Sequence, residues 1–276
     1  MKRHLSISRA WDETRAIFAR DGRLFVAVAL ALIVLPGILV VLTTPESGSG
    51  EEQDALSQVL QLIAGLVGIL GQLALVRLAL GPTTTVGGAI AHGARRFLPL
   101  LGALLLLILT VAILILPIIM MSGGAGALNR GAAASPSGAA ALAILLVVIL
   151  VLALSVKFMV AAAVASAEPV GPIAILKRSW ALTNGHYWKL LGLLLLLAIA
   201  VLVLMLAAGT IGGILARIVS PDLKPFSVGA LVLALFAAFV QGVFTVLSSV
   251  MLARVYVQLA GEGTAEVETS VPNSGS

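Results

Sequence analysis

The chain has 276 residues, of which 60% are hydrophobic and only 11% are charged, and its mean hydropathy is +1.15. Soluble domains carry roughly 25% charged residues, so this composition excludes a soluble enzyme, a nucleic-acid-binding domain and a disordered chain. Cysteine is absent and the three histidines are scattered, which excludes disulfides and cysteine-based metal sites and predicts no metal centre.

Six apolar stretches are long enough to cross a bilayer, which requires roughly 20 apolar residues in a helix. They predict an all-α, polytopic membrane protein with spans at about 24–43, 55–80, 97–121, 139–164, 187–208 and 227–254. The first stretch is expected to remain as a true span, because the preceding 23 residues are largely polar and charged. Residues 1–260 are predicted to form one integral membrane domain, and 261–276 a flexible polar cytoplasmic tail.

Basic residues predict the orientation of these spans. The chain holds 17 Lys and Arg against 12 Asp and Glu, a net charge of +5. Fourteen of the basic residues flank the spans on the side of the two termini, whereas the first loop on the other side, 44–54, contains acids and no base. Since short cytoplasmic loops are rich in Lys and Arg, both termini are predicted to be cytoplasmic. The positive charge therefore indicates an orientation in a membrane, and no nucleic-acid partner is expected.

An amphipathic stretch precedes each odd-numbered span, and the three stretches resemble one another. Each leads through a glycine to a basic residue that opens the span, which predicts three units of a cytoplasmic interfacial helix followed by a transmembrane hairpin. The alternative is chance similarity among leucine-rich segments. Tryptophan suits the headgroup boundary, and Lys and Arg reach anionic phosphates. The predicted headgroup or interface residues are Arg9, Trp11, Arg23, Arg95, Arg96, Lys177, Arg178, Trp180, Trp188 and Lys189.

Polar residues inside the spans are few. No Asp or Glu lies in the core of a span, which disfavours ion-coupled transport, because ion-coupled carriers usually place an acid there. Lys157 is near the end of the fourth span and is expected to snorkel to the interface, with a buried or phosphate-binding role as the alternative. Four glutamines are predicted to form interhelical hydrogen bonds, or alternatively to line a substrate path: Gln58, Gln61, Gln72 and Gln241.

Motifs of soluble enzymes are absent from the sequence. There is no phosphate-binding P-loop, no His-Glu-x-x-His and no Gly-x-Ser-x-Gly. Ser179 and His186 lie seven residues apart without an obvious carboxylate partner, which disfavours a catalytic pair. The chain is therefore predicted not to be an enzyme, with no catalytic residue, no cofactor and no metal.

The segment 167–192, AEPVGPIAILKRSWALTNGHYWKLLG, carries a resemblance to a known family. It resembles the bacterial glycerophosphoryl diester phosphodiesterase membrane domain and the related YciC-like inner-membrane proteins, and the stretches 7–11 and 90–96 are similar to that family too. In members that hydrolyse glycerophosphodiesters, a separate soluble barrel carries the catalytic His and Glu residues, and His92-Gly-Ala-Arg does not reproduce its His-Arg-Gly signature. The resemblance implies a bacterial inner-membrane domain of poorly defined function, without catalytic residues.

These observations together predict a non-enzymatic, multi-pass protein of the bacterial inner (plasma) membrane. Its expected partners are membrane lipids with anionic headgroups, together with a membrane or cytoplasmic protein, and its expected role is lipid interaction or scaffolding in envelope homeostasis. The alternative function is the membrane component of a lipid or amphiphile transporter. A membrane-exposed groove bearing Gln61 and Gln241 would favour that alternative.

Overall fold

A computed structural model of the protein describes residues 6–43, 55–81, 85–121, 138–220 and 227–270. Within these ranges the regular elements are helices, and six helical segments are long and apolar enough to cross a membrane, which confirms the predicted all-α, polytopic class. The elements in chain order are α1 (Ile7–Ala29), a π-helical turn (Leu30–Val34), α2 (Leu35–Thr43), α3 (Ala55–Leu80), α4 (Val86–Met121), α5 (Gly138–Phe158), α6 (Ala161–Ala167), α7 (Pro172–Thr183), α8 (Tyr187–Val219) and α9 (Val228–Ser270).

Only one of the three amphipathic stretches forms a helix of its own. α1 and α4 each run without a break from the amphipathic stretch into the span, whereas α7 is separated from α8. The break follows from the backbone after α7, where Asn184 is extended and Gly185 has a φ of +85°, a conformation that suits glycine. Gly22 and Gly93 occupy the corresponding places in α1 and α4 but lie inside continuous helix.

The last helix is longer than the sequence predicts. α9 continues to Ser270, so the first ten residues of the segment expected to be a flexible tail, 261–270, are helical. Residues 271–276 lie outside the described part of the chain. α8 also extends beyond the expected end of its span at 208, to Val219.

Two helices form the centre of the bundle. α9 packs against α1, the π-helical turn, α2, α3 and α8, and α3 also packs against α4. The start of α1, the end of α3 and the second half of α9 meet at one end of the bundle. There the backbone N–H of Ser6 donates to Gln258 Oε1 at 3.0 Å. Arg254 Nη2 donates to the carbonyl oxygen of Ala79 at 2.5 Å. We call this the basic end, because every described Lys and Arg except Arg217 lies there.

The hydrophobic core is concentrated toward the basic end. Phe25, Leu73, Leu75, Leu190 and Leu193 are fully buried there. The parts of the spans farther from the basic end carry many exposed large hydrophobic side chains, among them those of α5 and the middle of α8. Such surfaces suit a lipid environment, where an apolar side chain needs no protein cover. The bundle is therefore tightly packed at the basic end and more open to lipid elsewhere.

The first span is interrupted by the π-helical turn ahead of Pro36. Proline has no backbone N–H, so Pro36 leaves the carbonyl of Leu32 without its usual helical donor. One residue earlier, the N–H of Leu35 donates to Leu30 O, the wider spacing of a π-turn. The turn therefore shifts the faces that α1 and α2 present to α9.

Candidate functional site

The amphipathic helix α7 lies at the basic end and has two chemically different faces. Its start is favoured by Pro172 at the first helical position, after the extended residue Gly171. The buried face consists of Ile175, Ser179, Leu182 and Thr183. The other face exposes Ile173, Lys177, Arg178 and Trp180. α7 is therefore a docked helix with a basic and aromatic outer surface.

Buried hydroxyl groups attach α7 to the end of α5. Because α5 ends at Phe158, the carbonyl of Lys157 lies in the last turn, where helical donors run out. Ser179 Oγ donates to that carbonyl oxygen at 2.8 Å, and Thr183 Oγ1 lies 3.5 Å from it. The hydroxyl of Ser179 thus caps the end of α5, which gives this buried serine a structural role.

The side chain of Lys157 joins the same junction. Its ammonium donates to Asn184 Oδ1 at 2.5 Å and lies 4.8 Å from the ring centroid of Trp180 and 5.9 Å from that of Tyr187. These distances allow cation–π attraction. The side chain extends out of α5 toward the break between α7 and α8, and snorkelling to the membrane interface stays a prediction.

Glu168 connects α7 to the centre of the bundle. One oxygen, Oε1, accepts hydrogen bonds from Arg178 Nε at 3.1 Å and from the Tyr256 hydroxyl at 2.9 Å. Tyr256 belongs to α9 and is buried, whereas Arg178 belongs to α7 and is exposed. His92 Nε2 of α4 lies 2.8 Å from the carbonyl oxygen of Ser166 in α6. The segment from α6 to α7 is thereby bound to α4, α5 and α9.

The predicted interface residues are placed at the basic end. Trp188 is 80% exposed, Trp180 45% and Trp11 41%, so these large side chains are available to lipid. Of the basic residues in the prediction, Arg96 is half-buried and the others are exposed. Two of them form ion pairs, Arg9 with Glu13 at 3.3 Å and Arg178 with Glu168. Arg178 is therefore also a structural residue, which the sequence prediction missed.

The sequence also missed the contributions of His92, Arg254 and Tyr256. In the sequence, Arg254 and Tyr256 are two of several polar residues in the second half of α9, and their spacing does not set them apart from the others. Their contacts, with Ala79 and Glu168, connect residues 175 and 88 positions apart. Such pairs are set by the packing of the helices and leave no local pattern.

The glutamines of the spans do not converge on a described site. Gln58 and Gln241 are exposed, and Gln61 and Gln72 are half-buried. Gln241 Nε2 donates to Thr245 Oγ1 at 3.4 Å, within its own helix. Interhelical hydrogen bonding by these four residues stays a prediction.

An apolar groove of about 270 Å³ lies between the first and last spans. We call it the α1/α9 groove. Neither Gln61 nor Gln241 lines it, so it is not the polar groove that a transport pathway was expected to provide. Its lining residues are Phe18, Phe25, Val26, Ala29, Leu30, Val34, Phe239, Gly242, Val243, Val246 and Leu247.

Comparison with known proteins gives one family match. Residues 5–259 match a family described as "Domain of unknown function (DUF7847)". The matched range includes all six candidate spans except the last residues of the sixth, and it includes α7 with all its contacts. No curated protein and no solved structure matches the chain.

Proposed function

The chain belongs to the DUF7847 family, and we propose that it is a non-enzymatic membrane protein that binds anionic lipid headgroups at its basic end. The observation that carries this proposal is the outer surface of α7 and the start of α8. There Lys177 and Lys189 are exposed together with Trp180 and Trp188. Each basic residue near an anionic membrane surface contributes about 1 kcal/mol of attraction. The indole rings favour the same headgroup layer.

The docking of α7 supports headgroup binding because it holds this surface in place. Ser179 and Glu168 tie the helix to α5 and α9, so its basic residues are ordered before any lipid arrives. A pre-ordered surface loses less conformational entropy on binding than a mobile basic tail does. The arrangement thus favours binding of lipid in a defined position.

We further propose a bacterial inner-membrane location with both termini in the cytoplasm. The support is the distribution of Lys and Arg, which are enriched on the cytoplasmic side of inner-membrane proteins. The resemblance to the glycerophosphoryl diester phosphodiesterase membrane domain agrees with this location. The cellular role that fits is envelope lipid homeostasis or scaffolding of a membrane or cytoplasmic protein partner, without nucleic acid.

A role in lipid or amphiphile transport is less well supported. Such a role requires a path that accommodates polar groups between helices. The α1/α9 groove contains no glutamine, and its lining is apolar throughout. This geometry favours holding a lipid over passing a polar substrate.

Thermal unfolding in nanodiscs tests headgroup binding. We expect the protein to unfold at a higher temperature in nanodiscs that contain phosphatidylglycerol than in phosphatidylcholine alone. The double variant Lys177→Gln, Lys189→Gln should lose at least half of that difference. Arg217→Gln, which removes an exposed charge at the opposite end, is the control and should retain it. Equal unfolding temperatures of the unaltered protein in both lipids would refute the proposal.

A further inference from the structure

The α1/α9 groove has an internal shape that suits a narrow, flexible guest. One wall is formed by α1 and the π-helical turn and the other by α9. Its volume of about 270 Å³ lies just below the roughly 300–1,000 Å³ of small-molecule pockets. From Phe18 to Val34 the first wall is roughly 24 Å long at 1.5 Å per residue. One leaflet of hydrocarbon is roughly 15 Å thick, so the groove is long enough for an acyl chain.

A close contact between helices lies toward the far end of the groove. A Cβ atom on Gly242 would lie 2.6 Å from Val34 Cγ2, so the missing side chain lets α9 approach the first span closely there. Toward the basic end, Phe18 and Phe25 form a tilted pair with ring centroids 5.5 Å apart. The groove therefore begins at two aromatic rings and extends past the close approach of α9 to the π-helical turn, as far as Phe239.

The chemistry of the lining identifies the class of guest. All eleven lining residues are apolar, so a polar substrate would lose its hydrogen bonds to water without replacement. Val26, Leu30 and Val243 are also about half exposed at the surface of the spans. An acyl chain can therefore enter laterally from the bilayer.

The groove also continues toward a positive charge. Residues three or four apart share a helix face, so the face of α1 that bears Phe18 continues to Arg15 and then to Trp11. Both are exposed, and both lie on the basic side of the groove. An arginine and a tryptophan in this position suit the phosphate and glycerol region of a lipid whose chain lies in the groove.

We propose that the α1/α9 groove is a specific site for one acyl chain of an anionic phospholipid, with its headgroup at Arg15. This site lies on α1 and α9 and does not involve α7. It is therefore separate from headgroup binding by Lys177 and Lys189, and either proposal can fail alone.

The test is to count the phospholipids that the full-length protein keeps after purification in a mild detergent, by native mass spectrometry and lipid extraction. We expect about one tightly held phospholipid per chain. Val243→Trp, which fills the groove, should reduce retention at least fivefold. Val148→Trp is the matched control, because it places the same bulk on another similarly exposed valine in α5 and should retain the lipid.

Two further measurements locate and orient the lipid. A phospholipid with a photoreactive group in the middle of its chain should crosslink to peptides of α1 and α9. Arg15→Gln should lower the preference for anionic over zwitterionic lipid at least threefold while the crosslink sites remain. Leu30→Trp, which fills the groove from the opposite wall, should reduce lipid retention as Val243→Trp does. If Val243→Trp does not fold, Leu30→Trp takes its place in the test.

The proposal is overturned if the unaltered protein retains no phospholipid, or if both tryptophan variants of the groove retain as much as Val148→Trp. Crosslinks away from α1 and α9 would also overturn it. A dimer that Val243→Trp dissociates would show that a second copy of the chain fills the groove. Retention of the full phosphatidylglycerol effect by the Lys177→Gln, Lys189→Gln variant, with lipid retention unchanged, would remove only headgroup binding at α7.

Discussion

At the scale of single residues, the hydroxyl of Ser179 shows how a polar group is used inside an apolar protein. It is buried and donates to the carbonyl of Lys157 at the end of α5. A hydrogen bond of this kind contributes about 0.5–1.5 kcal/mol net to stability. The bond therefore stabilises the docked position of α7 that the proposed headgroup surface requires.

Ser179→Ala should lower the free energy of unfolding by about 0.5–1.5 kcal/mol, because the carbonyl of Lys157 loses its shorter hydrogen bond and keeps only the long contact with Thr183 Oγ1. Amide hydrogen exchange in α7 should become faster. Thr210→Ala is the control: this exposed hydroxyl donates to Leu206 O in its own helix at 2.8 Å, and its loss should change stability by less than about 0.5 kcal/mol. Equal effects of the two substitutions would contradict the capping role of Ser179.

Glu168 is the second residue on which the position of α7 depends. Glu168→Ala and Tyr256→Phe should each speed hydrogen exchange in α7, because each removes the bond between α9 and the segment before α7. In the double variant the two losses should not add, with a coupling of about 0.5–3 kcal/mol, as expected for residues in direct contact. Additive losses of stability would show that the two side chains act independently.

The sequence predicts some of the features around α7 and leaves others undetermined. The sequence shows an acid at 168 and a Gly-Pro at 171–172, which favour the start of a helix. That Glu168 bonds to Tyr256, 88 residues away, was not visible, because no local pattern encodes the partner. The exposure of Lys177 and Trp180 follows from amphipathic spacing, which is a local property of one helix, whereas their contact with lipid headgroups stays a prediction.

At the scale of elements, the break between α7 and α8 decides which unit has a free-standing interfacial helix. The same order of amphipathic stretch, glycine and basic residue precedes three spans, yet only Gly185 adopts a positive φ. Helices continue through a glycine at modest cost, so glycine alone does not end a helix. The preceding Asn184, which leaves the helical conformation, distinguishes the third unit.

Exchange of glycine for alanine at two positions tests this explanation. Gly185→Ala should lower the free energy of unfolding by about 1–2 kcal/mol, because a side chain is strained at a φ of +85°. Gly22→Ala should instead raise it by about 0.5–1 kcal/mol, because a Cβ there meets nothing within 4 Å and the helix gains propensity. Thermal unfolding in the same detergent measures both. If both substitutions changed the free energy of unfolding in the same direction, the backbone conformations assigned to Gly185 and Gly22 would be contradicted.

At the scale of the whole molecule, tight packing and positive charge occur at the same end. The core, the docked α7 and nearly all described basic residues lie there, whereas the far parts of the spans expose apolar side chains. A stable basic end with a lipid-exposed remainder suits a protein that acts at one membrane surface.

Reporter fusions test which surface this is. Alkaline phosphatase fused after Ser122 should be active, because this position lies beyond the far end of the third span and is predicted to be outside the cytoplasm. A fusion after Gly185, at the basic end, should be inactive. The reverse pair of activities would show that the proposed orientation is inverted.

The sequence by itself determined the six spans, the all-α class and the location of charge at one end, because each depends on runs of about twenty residues or on counts in the connections. Only the tertiary structure decided that α3 and α9 form the centre, that Glu168 binds Tyr256, and that an apolar groove lies beside the π-helical turn. The physical reason is the membrane itself. Side chains that face lipid and side chains that face another helix are both apolar, so hydrophobic periodicity does not reveal which face of a span is buried.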